Sequence, residues 1–320
     1  MEQDYKLTFS KPLLKVSNVS GRLPDFCRYP IPMADRARQF DFEGATLLQQ
    51  TIHCELFSID IFQLDTVDPF VVHYTLDQQR IFFNFVLSGP IAFTTGIGEH
   101  VTCPGSCSFY LSAEQAGSYR AECFSGATDL VVVSLNPQWL STVVRQYPIF
   151  REAVSFLTES TNPFDVLPHF WIDQELRQWL FSVLAFEHEN PFAQQAELQK
   201  CLVMGLGHYE QLLSRSGRAQ LYLIKLHIDR RYADPNLDTY SLIARLDLSM
   251  TTVIRLFKSE YGHTIRNYCI QVRLRHAHRL LTQGQLSFAE VYLLVGYNNE
   301  NSLRKAYKNY LAQLDGSKRF

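Results

Sequence analysis

The sequence predicts an α+β chain with a strand-rich first half and a helical last third. Alternating apolar runs separated by Gly and Pro turn signals fill residues 51–135, whereas apolar residues recur at helical spacing after residue 136. Charge divides the chain similarly: residues 218–320 hold 16 basic and 8 acidic side chains, and residues 1–217 hold 14 and 24. A basic segment suits an anionic partner, since Lys and Arg make most phosphate contacts, although basic helices can also simply be solvated.

The first half predicts an antiparallel β domain. Residues 1–45 show little periodicity, and we expect an N-terminal arm there. Short strand-like runs then follow at 51–65, 71–76, 81–89, 90–96, 107–112, 118–124 and 129–135. Strands this close together, without helices between them, indicate a sandwich or barrel. Their aromatic residues either pack the core, which we favour, or line an apolar cavity: Phe83, Phe85, Phe93 and Tyr110.

Helical periodicity begins at Asn136-Pro137, a dipeptide that suits a helix N-terminus. Two amphipathic segments at 172–184 and 192–206 are separated by Asn190-Pro191 and predict an antiparallel helix pair. This pair either packs within its domain or forms a homodimer seam, and we favour the seam. We expect three segments: a β domain with the arm at 1–165, a helical pair for dimerisation and linkage at 166–217, and a helical domain at 218–320.

The last segment contains a helix-turn-helix pattern. Residues 219–233 predict one amphipathic helix, and a second is expected to end near Leu246. Ser249 is a good N-cap for the next helix, which Gly262 ends. On that helix the apolar side chains of Val253, Leu256 and Phe257 share one face. The remaining faces carry Thr251, Ile254, Arg255 and Lys258. Such a second helix can enter a DNA major groove.

A second copy of the pattern follows. A helix is predicted over 288–294, then a turn at Val295-Gly296-Tyr297, then a helix from about Asn299. The side chains expected to pack inward are Leu303, Ala306, Tyr307 and Tyr310. Those expected to point outward are Glu300, Asn301, Arg304 and Lys305. Between the copies, residues 265–281 predict one uninterrupted helix that holds both units.

These residues closely resemble the AraC/XylS family of transcription regulators. The resemblance covers residues 237–320 and rests on several features in order: Ala-x-x-x-Leu-Ser at 244–249, Arg-Leu-Phe-Lys at 255–258, Gly262, Arg-Leu-x-x-Ala-x-x-Leu-Leu at 273–281, Gly-Tyr at 296–297 and Tyr-Lys at 307–308. The strand-rich half is similar to the cupin-like effector domain that many members carry. The chain departs from the family pattern at Asp247 in the first unit and at Tyr292 and Ala-Gln-Leu-Asp (312–315) in the second. The departures in the second unit predict weaker or different DNA contacts there.

The resemblance implies a bacterial, cytoplasmic regulator that binds double-stranded DNA and associates with the nucleoid when bound. It implies base reading from the first recognition helix by Thr251, Ile254 and Arg255, and from the second by Glu300, Asn301, Arg304 and Lys305. Thr252 is expected to be a further DNA contact of the first recognition helix. Phosphate contacts are expected from Ser249, Lys258, Ser302 and Lys308. A small-molecule effector, RNA polymerase and a second copy of the chain are the other implied partners. Arg273 is expected to make structural or backbone contacts.

Other functions find little support in the sequence. A cupin-type metalloenzyme needs convergent His and carboxylate ligands, but His53, His73 and His100 are isolated, so we expect no enzyme and no cofactor. Cys103 and Cys107 either bind zinc or flank a Pro-Gly turn, and we favour the turn. No apolar run reaches membrane-spanning length, and no signal peptide is indicated. A regulator controlled by a protein partner or by dimerisation, without a small ligand, stays open.

Overall fold

The computed structural model describes residues 5–160, 162–187, 190–215, 218–237, 243, 249–283 and 286–317. The chain forms two compact units, Met1–Arg215 and Ser216–Phe320. The helical segment after residue 165 therefore belongs to the same compact unit as the strands. The finer three-part division stays a prediction.

The first unit is built on two antiparallel sheets. Its strands are β1 (Lys6–Phe9), β2 (Leu13–Asn18), β3 (Arg36–Phe42), β4 (Ala45–His53), β5 (Phe57–Thr66), β6 (Phe70–Leu76), β7 (Arg80–Ser88), β8 (Ile91–Thr95), β9 (His100–Thr102), β10 (Ser108–Glu114), β11 (Gly117–Cys123), β12 (Gly126–Leu135), β13 (Phe164–Val166) and β14 (Phe170–Trp171). One sheet has the order β1-β6-β11-β8-β9, and the other β13-β10-β7-β12-β5-β4-β3-β2, with β14 paired to β10. The predicted antiparallel β domain is confirmed.

The prediction of an irregular arm over residues 1–45 is wrong. β1 pairs with β6, and β3 lies between β2 and β4. β2 is the last strand of its sheet and is largely exposed, so its sequence lacks the alternation that half-burial imposes. Only β3 buries alternate apolar side chains, with Phe40 and Phe42 in the core.

Helices cover one face of the nine-stranded sheet. They are α1 (Pro137–Val143), α2 (Pro148–Glu159), α3 (Gln174–Leu184) and α4 (Pro191–Arg215), with a 3-10 turn at Val144–Gln146. As predicted, Asn136 caps α1, whereas α2 was not predicted. Tyr209 of α4 lies among sheet aromatics, with its ring 5.8 Å from those of Phe83 and Phe109. Aromatic side chains of β7 and β10 therefore hold α4 on the sheet.

The second unit is helical in its described residues. Its helices are α5 (Arg218–Arg231), α6 (Met250–Tyr261), α7 (Ile265–Gln283), α8 (Phe288–Leu294) and α9 (Glu300–Ser317). The predicted helix that ends near Leu246 lies outside the described residues, apart from Ile243, which is helical and buried. The long α7 contributes Val272 to one apolar core and Leu274 to the other. One helix thus joins two small cores, as the sequence predicts.

Candidate nucleic-acid interface

The first candidate recognition helix, α6, has the predicted ends. The Ser249 hydroxyl accepts the backbone N–H of Thr252 at 3.3 Å, and Gly262 ends the helix at φ 70°. Val253 and Phe257 are fully buried, which fixes the rotation of the helix about its axis. The opposite face is therefore presented to solvent, with exposed side chains at Thr251, Ile254, Arg255 and Lys258.

A buried polar network anchors α6 to its neighbours. The ring of Phe257 lies 5.7 Å from that of Tyr268 on α7. The Tyr268 hydroxyl donates to Asp229 of α5 at 3.0 Å, and Lys225 forms an ion pair with the same carboxylate at 2.8 Å. Burial raises the pKa of Tyr268 to about 12, so the phenol stays protonated and keeps donating at neutral pH. Three helices are thus tied together behind the exposed face.

The second candidate recognition helix, α9, is oriented in the same way. The Asn299 side chain accepts the backbone N–H of Ser302 at 2.8 Å. Leu303 and Tyr307 are buried, and the Tyr307 hydroxyl lies 2.7 Å from Nδ1 of His278 on α7. Among the outward side chains, Glu300 is half-buried. The others are exposed: Asn301, Ser302, Arg304, Lys305 and Lys308. Sequence reasoning did not identify Asn299 as the cap that already satisfies the Ser302 N–H.

The two predicted arginine readers differ in what surrounds them. Arg304 donates from Nε to Glu300 at 2.6 Å, and its guanidinium lies 4.4 Å from the centre of the Phe288 ring. For Arg255, the described part of the chain offers no hydrogen bond or ion pair. Arg255 can therefore form a bidentate pair with a guanine without breaking an existing contact.

The turn of the second unit is fixed by close backbone contact. Gly296 has φ 75°, and a Cβ on it would lie 2.5 Å from the carbonyl oxygen of Tyr232. Arg273 of α7 donates to the carbonyls of Tyr232 and Asp234 at 2.8 and 2.7 Å. The structural role expected for Arg273 is therefore confirmed: its guanidinium binds the backbone at the end of α5.

Additional cations project from α7, and sequence reasoning did not select them. Arg275 and Arg279 are exposed and one helical turn apart. Burial, together with the smaller effect of these two charges, lowers the pKa of His276 to about 4. Their i,i+4 spacing could have identified them from the sequence, because residues four apart lie on the same face of a helix. Each can reach a phosphate, as flexible exposed Arg side chains do.

Among the described residues of the β domain, a cavity lies between the two sheets. Its volume is about 90 Å³. Of the four aromatic side chains considered from the sequence, Phe93 and Tyr110 line it. Phe83 and Phe85 point to the other face of their strand and pack in the aromatic cluster under α4. Alternation along β7 decides this difference.

Metal ligands do not converge within the described ranges, which contain no group of three or more His, Cys, Asp or Glu side chains able to hold an ion. Cys107 sits in the turn after Pro104-Gly105 at φ 57°, and the Arg177 guanidinium donates to its sulfur at 2.9 Å. In the same described part of the chain, no helix has both the length and the apolar character needed to cross a membrane.

Comparisons with known proteins bear on the helical unit. Residues 242–314 match the family model of a helix-turn-helix domain. The Msm operon regulatory protein of Streptococcus mutans serotype c is 30% identical over 108 residues, which is 34% of this chain and 38% of that protein. The chain thus aligns with well under half the length of this curated relative.

Solved structures give weaker likenesses. The C-terminal domain of the response regulator yesN from Fusobacterium nucleatum is 29% identical over 28% of this chain and 92% of its own, with a TM-score of 0.26. ToxT from Vibrio cholerae is 12% identical over 79% of this chain and 94% of its own, with a TM-score of 0.32.

Two N-capped helices, α6 and α9, pack against the shared helix α7 within residues that match a helix-turn-helix model, and together they define the chain as a helix-turn-helix protein. The family resemblance predicted from the sequence is confirmed: the C-terminal unit carries a helix-turn-helix domain of the AraC/XylS type. The roles of the individual side chains stay predictions.

Proposed function

We propose that the chain is a sequence-specific DNA-binding transcriptional regulator whose β domain responds to a small-molecule effector. The observation that carries the proposal is the pair of recognition helices, each capped at its N-terminus and each with a buried apolar face opposite an exposed polar one. Such helices fit successive major grooves, which lie about 34 Å apart. The helix α7 that joins them is 19 residues long, or about 28 Å.

The positive charge of the second unit supports DNA as the partner. Lys258, Lys305 and Lys308 are exposed on the two recognition helices, and Arg275 and Arg279 are exposed on α7. Neutralising phosphates with such side chains releases counterions, so binding should weaken steeply as salt rises. The first unit is acidic by sequence, which directs DNA to the second unit alone.

Effector control is supported by the cavity between the two sheets, because an apolar cavity with few polar groups is the usual form of a small-molecule site. Two sheets around a cavity also fit a cupin-like domain. This favours an effector over control by a protein partner alone, and no catalytic role is proposed. RNA polymerase remains a partner implied by the family.

Homodimerisation through the helical segment is part of the proposal. Trp179 of α3 lies against Gly205 of α4, where an added Cβ would come within 2.6 Å of the indole, so these helices pack on each other. α4 nevertheless leaves Phe192 and Met204 exposed, at 84% and 56%. A second copy of α4 would cover these side chains. Sedimentation of Phe192→Ala and Met204→Ala variants tests this point.

The central test is DNA binding by the full chain. Genomic fragments retained by the protein are sequenced, and a duplex carrying the recovered motif is titrated at two salt concentrations. We expect a preference for the motif over scrambled DNA and weaker binding at higher salt. A folded protein that holds no duplex even at low salt would contradict the proposal.

A further inference from the structure

The cavity of the β domain is apolar apart from a few polar groups contributed by both sheets. Leu47, Leu64, Phe93 and Leu130 form much of its wall. Polar side chains on the wall include Tyr74, Asn84, Tyr110 and Glu114, and Tyr110 lies directly opposite Asn84 in the register of β10 and β7. A buried carboxyl group in such surroundings must be offset by hydrogen bonds or by a ligand.

Glu114 is only half satisfied by the protein. It is 6% exposed, and the Tyr74 hydroxyl donates to its Oε2 at 2.9 Å. Within the described residues its other carboxyl oxygen, Oε1, has no hydrogen-bond partner. Burial raises the pKa of Glu114 to about 7, in line with a carboxyl group that lacks a countercharge.

Tyr110 supplies a second unsatisfied group on the cavity wall. Its side chain is 2% exposed, and no other described residue forms a hydrogen bond with its hydroxyl. Burial, with a smaller contribution from the Glu114 charge, raises its pKa well above the usual value, so the phenol stays protonated. A hydroxyl and a carboxyl oxygen are thus both available to a molecule in the cavity.

No basic side chain is among the described residues that line the cavity. Arg80 lies opposite Glu114 in the strand register but does not contribute to the wall. A carboxylate ligand would therefore meet the Glu114 carboxyl group without a cation to offset the two charges, which is unfavourable in apolar surroundings.

We propose that this cavity binds a small apolar molecule, about the size of one ring, whose amine or hydroxyl head donates a hydrogen bond to Glu114 beside the Tyr110 hydroxyl. Molecules of the same size with a carboxylate head are rejected. The inference deepens the proposed function, on which it rests for its regulatory meaning, because it names the class of effector. Ligand binding itself is independent of DNA, so either proposal can fail without the other.

The test uses the full chain and three probes with the same ring: benzylamine, benzyl alcohol and benzoate. Calorimetric titration and thermal shift at mildly alkaline pH should show binding of the amine and the alcohol, with benzoate at least about tenfold weaker than the amine. Binding of benzoate as tight as that of benzylamine would overturn the proposal. So would the absence of binding by both benzylamine and benzyl alcohol.

Two variants assign the binding to the carboxyl group. Glu114→Gln should weaken benzylamine at least about tenfold and leave benzyl alcohol within a fewfold, because the amide still accepts a hydrogen bond but carries no charge. Glu122→Gln is the matched control, since Glu122 lies on β11 of the opposite sheet and does not line the cavity. Equal loss in both variants, or no loss in the first, would contradict a role for Glu114. If Glu114→Gln fails to fold, the order of the three probes on the unaltered chain still decides.

Discussion

The two recognition helices, α6 and α9, each have a capped N-terminus and a buried apolar face, but they differ in the freedom of their recognition side chains. In the first, Arg255 is exposed and has no partner among the described residues, whereas in the second Arg304 is held by Glu300 and lies over Phe288. A side chain with existing contacts must give them up before it can bind a base. We therefore propose that α6 reads the base sequence and that α9 mainly positions the protein on the DNA backbone.

The glycines beside the two recognition helices differ as well, and this gives the largest expected effect. Gly262 ends α6, whereas Gly296 lies in the turn before α9. Gly262 and Gly296 both have positive φ, but a Cβ on Gly262 meets open space and one on Gly296 meets the Tyr232 carbonyl at 2.5 Å. Gly296→Ala should destabilise the second unit by about 3 kcal/mol, and Gly262→Ala should cost about 1 kcal/mol. Hydrogen exchange of the α9 amides measures the loss of stability in Gly296→Ala. Exchange of the α6 amides measures the loss in Gly262→Ala. Equal protection loss in the two variants would remove this part of the comparison.

The next largest effect is expected in DNA binding. Arg255→Ala should weaken binding to the selected duplex by about 2 kcal/mol and relax the preference at one base pair. Arg304→Ala should cost under about 1 kcal/mol, because Arg304 must first leave Glu300. Fluorescence anisotropy with a panel of duplexes that carry single-base changes checks both predictions. The control is Arg145→Ala, at an exposed arginine of the unit that contains the β domain. A larger loss for Arg304 than for Arg255 would reverse the assignment of reader and positioner.

A pH-dependent effect tests the anchoring that the two units share. The His276 ring stacks on Tyr232 at 4.0 Å, and its pKa is lowered to about 4 in the folded chain. The folded state therefore binds fewer protons than the unfolded state between about pH 6.5 and 4, so this contribution is lost as pH falls through that window. After allowance for partial exposure, we expect about 1 kcal/mol.

Urea unfolding of the α7 region across this pH range, followed by hydrogen exchange, measures the effect. His276→Gln should flatten the dependence, whereas His263→Gln, at an exposed site before α7, should leave it unchanged. A dependence that survives in His276→Gln would assign it to another group.

Much of this arrangement was predictable from local sequence signals. The Ser249 cap, the Gly262 end and the inward Val253 and Phe257 follow from helix periodicity and capping chemistry, which act within a few residues. The same holds for the strands after residue 51, where half-burial imposes alternation. β1 and β2 escaped prediction because their pairing is long-range and they lie at sheet ends.

Contacts between distant residues escaped in the same way. The Arg304 side chain meets Phe288 across the turn of the second unit, and Glu114 meets Tyr74 from the opposite sheet. Neither pairing leaves a spacing that a single sequence reveals. The Glu300–Arg304 pair did have a signal, since residues four apart on a helix face each other, but it was interpreted as two separate base readers.

The smallest effect concerns that pair and decides whether the second unit can be converted into a reader. Glu300→Gln removes the carboxylate that holds Arg304 and also removes a negative charge from the exposed face of α9. Affinity for any duplex should rise by a few tenths of a kcal/mol, and the salt dependence should steepen by up to about one phosphate contact. Glu260→Gln, an exposed carboxylate on α6, is the matched control for loss of one negative charge. If Glu300→Gln also gained a new base preference, Glu300 would be the restraint that keeps the second unit from reading sequence. A gain of affinity equal to that of the control would mean that only net charge matters, and the contrast between the two arginines would then have no bearing on DNA binding.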